Sequence, residues 1–104
     1  MEVKEYKTLA EFYPYYLSEH SKKGTRITHF LGTTLFFILL IGLFITKNIY
    51  LLIPTIVVPY AFAWVGHFFI ESNKPATFKY PFFSLISDFK LYFEIIQGKQ
   101  GWGE

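Results

Sequence analysis

The sequence predicts an all-α membrane protein: two transmembrane helices in a hairpin, with amphipathic helices before and after. Three observations predict it. Charged residues are only 17% of the 104, where a water-soluble domain carries about 25%. The deficit is local, since residues 27–46 and 48–70 contain no Asp, Glu, Lys or Arg. Each gap reaches the roughly 20 apolar residues that cross about 30 Å of hydrocarbon. The chain is read as a single membrane-embedded domain, residues 1–104.

Residues 8–20 form an aromatic segment, read as a short helix or helix pair that Pro14 breaks or kinks. Its Tyr and Phe rings suit a membrane interface. Residues 21–26 are polar and contain Gly24, which marks a loop. Residues 27–46 are apolar on every side, as a first span requires. Gly32 and Gly42 would permit close helix contact there. Thr46, Lys47 and Asn48 form a short polar turn. Residues 49–70 form the second span, with Pro54 and Pro59 expected to kink it. A loop with Asn73, Lys74 and Pro75 covers 72–79. In 81–97, Phe82, Leu85, Ile86, Phe89, Phe93 and Ile96 recur at helical spacing, which predicts an amphipathic helix on the membrane or against the other helices. The tail from Gly98 to Glu104 reads as frayed. Lys and Arg cluster before the first span (Lys4, Lys7, Lys22, Lys23, Arg26) and after the second (Lys74, Lys79, Lys90, Lys99), with Lys47 alone between. The positive-inside rule then puts both termini in the cytoplasm of a multi-pass protein.

Several function classes drop out. Without cysteine there is no disulfide, thiol nucleophile or iron–sulfur cluster. The net charge of +2 is small and scattered, so nucleic acid is not an expected partner. The first apolar run follows a charged segment and lacks a small-residue cleavage site, which argues against a removable signal peptide.

The histidines carry the chemistry. His20 precedes the first span, His29 begins it, and His67 ends the second. In a hairpin these positions share one membrane face, so all three can meet. Neutral imidazoles suit iron, zinc, copper or nickel, and the residues alone do not choose. A lone interfacial histidine is more often solvated or hydrogen-bonded than metal-bound; three on one face shift that balance. Glu71, four residues after His67, and Glu19, beside His20, could complete a two-His, one-carboxylate set or accept an imidazole N–H. Glu71 is read equally as a solvated end of the span. Arg26 could grip a substrate carboxylate, against the commoner role of a positive anchor. Asp88 is a weaker outer partner, and Tyr13, Tyr16 and Trp64 read as interface aromatics.

Two blocks resemble the 2-hydroxy fatty acid dioxygenase family. One is Phe12-Tyr13-Pro14-Tyr15-Tyr16-Leu17-Ser18-Glu19-His20 with Arg26 and His29. The other is Trp64-Val65-Gly66-His67-Phe68-Phe69-Ile70-Glu71-Ser72-Asn73-Lys74-Pro75-Ala76 with Ser84, Leu85 and Asp88. The resemblance implies iron(II) held by His20, His29 and His67, dioxygen and a 2-hydroxy fatty acid as substrates, membrane lipid as surroundings, and a product one carbon shorter. Arg26 and Glu71 are the candidate catalytic side chains. The rival expectations are a non-catalytic membrane hairpin that scaffolds partners and a zinc-dependent lipid hydrolase.

Overall fold

The chain folds as four helices, seen in a computed structural model that describes residues 5–74 and 79–103. They are α1 (Leu9–Ser18), α2 (Lys23–Thr46), α3 (Leu52–Val65) and α4 (Pro81–Ile96). A 3₁₀ turn at Ile49–Leu51 leads into α3, and a π-helical turn at Gly66–Glu71 extends it. Lys23–Thr46 and Ile49–Glu71 are each long and apolar enough to cross a membrane. They pack together as a hairpin, while α1 and α4 pack on one another and α4 also crosses α2.

The hairpin turn is built by its three polar residues. Lys47 adopts the left-handed conformation, φ 55°, and its N–H closes on the Leu43 carbonyl. Asn48 then accepts from the Tyr50 amide at 3.1 Å and starts the second span. Pro54 lies in the first turn of α3, where its missing N–H costs no helical bond. Only Pro59 falls in the α3 interior. Pro14 sits inside α1 without breaking it, so 8–20 is one helix rather than two.

Small residues set the α2–α3 distance. A Cβ on Gly32 would come within 2.8 Å of Phe62 Cβ, and one on Gly66 within 2.6 Å of Thr28 Oγ1. Gly42 differs from expectation: its Cβ would meet only Leu51 Cδ1 at 3.6 Å, an ordinary contact. Gly24 is not in a loop either. The first span, α2, starts earlier than the apolar run implies, at Lys23, where a carboxylate arrives at its N-terminus: Glu71 Oε1 accepts from the Lys22 amide at 2.6 Å. Gly24 then lets Ile70 close on that first turn.

Burial is uneven. Phe12, Tyr13, Tyr16 and Leu91 form the core between α1 and α4, while Tyr92 is buried against Phe30 and Phe37 of α2. The far half of the hairpin buries almost nothing, with Phe44 72% and Ile45 76% exposed. Such a large apolar surface needs a nonaqueous surrounding. On α4, Ser84, Ser87, Leu91 and Tyr92 are buried, while Phe82, Ile86 and Ile96 are exposed. Of the two expectations for this helix the packing one is met, and it keeps an apolar outer face. The tail is not frayed as far as Gly103. Arg26 Nη1 donates to the Gly101 carbonyl at 2.8 Å, and Trp102 meets Phe30 edge to face at 5.1 Å. Lys4, Glu104 and the Pro75–Ala76 part of the loop lie outside the described residues.

Candidate metal centre

Four elements deliver the site. The turn after α1 carries His20, the second turn of α2 carries His29, the π turn carries His67, and α4 carries Asp88. The His20 ring lies 4.4 Å from His67 and 5.7 Å from His29, centroid to centroid. All three are buried, at 2%, 4% and 3% exposure for His20, His29 and His67. His20, His29 and Asp88 each offer a ligand atom within 4.8 Å of the others. His67 stands against His20 but outside this triplet.

The hydrogen bonds fix the tautomers. His20 Nδ1 donates to the Tyr16 carbonyl at 2.8 Å, His29 Nε2 to the Asp88 carbonyl at 2.9 Å, and His67 Nδ1 to Asn73 Oδ1 at 2.7 Å. Each acceptor is an oxygen that can only accept. In the neutral ring the opposite nitrogen then carries the lone pair that a ligand requires. For His29 that nitrogen is Nδ1, which lies 3.9 Å from Asp88 Oδ1.

The donor set fits a divalent first-row metal. Ligand atoms at roughly 2.0–2.2 Å from such an ion span at most about 4.4 Å. The triplet therefore needs only small side-chain adjustment. Burial, and then the two neighbouring imidazoles, lower the pKa of His20 well below its ordinary value, which keeps it neutral. Burial raises the Asp88 carboxyl, opposed by His29 and by the Tyr16 hydroxyl. Tyr16 is itself held far above its usual pKa, by burial and then by Asp88, so it remains a donor.

Local structure explains two partners that sequence reasoning missed. Tyr16 had read as an interface aromatic. It is 1% exposed, stacks on His20 at 4.0 Å, and donates to Asp88 Oδ1 at 2.5 Å. Its spacing of four before His20 was the available signal. Asn73 comes back to His67 because Ser72 turns left-handed at φ 61°, with the Ser72 and Asn73 amides both closing on the His67 carbonyl. The Asn73 amide then donates to Glu19 Oε2 at 2.6 Å, which fixes its carbonyl oxygen toward His67. Asn73 thus ties Glu19 to the site. Removing this bridge, as in Asn73→Leu, should weaken divalent metal binding roughly 10–100-fold. Chelator competition with Co(II) would measure it, and unchanged affinity would show that the bridge positions nothing.

The two candidate catalytic side chains, Glu71 and Arg26, are both engaged by groups around the turn that carries His20. Glu71 ends the π turn that carries His67. Its carboxylate caps α2 and accepts from Ser21 and Lys22. Arg26 is buried, but Nε donates to the His20 carbonyl at 2.6 Å and Nη1 to Gly101. It fastens the His20 backbone to the tail instead of facing the cavity beside the cluster. The cavity, ≈ 370 Å³, runs between α2, α3 and α4 with His29 and Asp88 at one end and Phe36, Ile56 and Pro59 along it.

Fold and site together define a helical hairpin protein with a buried imidazole–carboxylate cluster able to hold a metal, open to an apolar cavity. Residues 6–100 match the family described as 2-hydroxy-palmitic acid dioxygenase, Mpo1-like. With nearly the whole chain covered, the protein belongs to that family. No curated protein and no solved structure gives a significant match.

Proposed function

We propose that this chain is an iron(II)-dependent dioxygenase that shortens 2-hydroxy fatty acids by one carbon, working at the cytoplasmic face of a membrane its two long helices span. The observation that carries this reading is the cluster of His20, His29 and Asp88 at the polar end of an otherwise apolar cavity. Two imidazoles and a carboxylate are the donor set of non-haem iron oxygenases, which leaves positions for substrate and dioxygen. Ferrous iron, when bound there, supplies dioxygen activation. Family membership supports the substrate class.

The chain's own residues do the rest. His20, His29 and Asp88 would hold the ion, with His67 alongside His20. Tyr16 orients Asp88 through its hydroxyl and His20 through its carbonyl. The cavity takes the acyl chain, where each buried CH₂ contributes about 0.8 kcal/mol. Thr55, buried in the cavity wall, adds little polarity, since its Oγ1 already donates to the Leu51 carbonyl at 2.7 Å.

Protein purified in mild detergent should contain about one iron per chain and consume dioxygen with 2-hydroxypalmitate, and mass spectrometry should find the acid one carbon shorter. Activity that persists without oxygen, or stoichiometric zinc with hydrolysis, would favour the zinc hydrolase instead. Absence of any metal would favour the scaffold.

A further inference from the structure

The cavity has a closed side and an open side. At its polar end His29 is 4% exposed; Thr33, one turn on, is 6% exposed, and Thr55 at the far end is 3% exposed. Above the polar end α1 seals the cluster, with Phe12 at 0%, Tyr16 at 1% and His20 at 2%. Three other lining residues are open: Ile56 at 53%, Tyr60 at 40% and Leu85 at 47%. Ile56 and Tyr60 are one turn apart on α3, and Leu85 stands on α4. These helices pack on α2 and on α1, and hardly on each other. The opening is therefore a slot between α3 and α4. Exposed Ile53, Val57 and Phe82 extend the same apolar surface beside it.

The length of the cavity points the same way. It follows α2 from His29 to Phe36 and α3 from Ala63 to Thr55, roughly 10–12 Å at 1.5 Å per residue. A long acyl chain outreaches that distance, so its end has to leave through the slot. We propose that the acyl substrate enters sideways from the lipid through the slot between α3 and α4, and that Ile56, Tyr60 and Leu85 at its rim decide which chains are admitted. The occupant is a single-chain amphiphile with a polar head small enough to pass the rim and reach His29 and Asp88. The inference rests on the functional reading above for the head-group chemistry, while the route itself rests on the exposure pattern.

The test uses the full chain in lipid nanodiscs with a palmitic acid analogue carrying a mid-chain diazirine. Photolabelling should fall on residues 55–63 and 85–89. In Ile56→Trp and Leu85→Trp the label and the turnover of 2-hydroxypalmitate should both fall roughly tenfold, as a tightened pocket commonly produces. Phe44→Trp, on the exposed far half of the hairpin, should change neither. Both rim positions are exposed, so the variants should fold, and their thermal midpoints check it. Label confined to other segments, or full label and turnover in both rim variants, would overturn the route. Label in the slot of a protein that consumes no 2-hydroxy acid would support the route and sink the dioxygenase reading.

Discussion

Replacing His20 or His29 with alanine should reduce bound iron to background and abolish turnover, and Asp88→Asn should do nearly the same. The three offer the tight triplet of ligand atoms, and each is held from behind. Tyr16 fixes His20 by its carbonyl and Asp88 by its hydroxyl, and the Asp88 carbonyl fixes His29. A lost ligand should therefore cost more than the roughly 10–100-fold typical of losing an outer partner. Asp88→Asn is the sharper variant, since it keeps shape and the Tyr16 bond while removing the charge that a divalent ion needs. His67→Ala should lower iron affinity and activity without abolishing binding, because its ring lies against His20 and outside the triplet. Iron analysis, dioxygen uptake and far-ultraviolet circular dichroism on the same preparations separate ligand loss from misfolding. Asp88→Asn with full iron would remove the carboxylate from the centre. His67→Ala with full activity would reduce that histidine to a packing role.

Which parts were legible follows from what each depends on. The spans were readable because a membrane demands an unbroken apolar run, and that demand is written locally. The meeting of His20, His29 and His67 was readable because a hairpin of known turn places them at one end. Asp88 could be named but not placed, since its position depends on how α4 crosses α2. That crossing is set by contacts distant in sequence, such as Phe37 with Phe89 at 5.7 Å and Phe30 with Tyr92 at 4.7 Å. Asn73 was illegible because its role needs a left-handed Ser72 after a π turn, and no periodicity announces either. Nor does spacing announce that the Glu71 carboxylate accepts from the Lys22 amide at the start of α2. Arg26 has the sequence look of a membrane anchor or a carboxylate clamp. Only the fold shows that the His20 and Gly101 carbonyls occupy it.

The second large effect concerns the seam of the hairpin. Gly32→Leu should destabilise the fold and deplete the metal together. The Cβ alone would sit 2.8 Å from Phe62 Cβ and 3.3 Å from the Pro59 carbonyl oxygen. Neither is the loose end of a side chain, so the backbones of α2 and α3 have to part. Overpacking of this kind costs about 1–3 kcal/mol, and close approach of small residues is what joins helices where lipid gives no hydrophobic drive. The displacement occurs one turn beyond His29 on α2 and between the cluster and Pro59 on α3. It should therefore shift His29 relative to His67 as well as widen the cavity. Gly42→Leu is the matched control, because its Cβ would meet only a leucine methyl at 3.6 Å. Thermal unfolding in detergent, with iron measured on the folded fraction, should show a clear loss for Gly32→Leu and little for Gly42→Leu. Equal tolerance at both positions would mean that the seam is not what holds the imidazoles together, and that the α1–α4 layer alone fixes the centre.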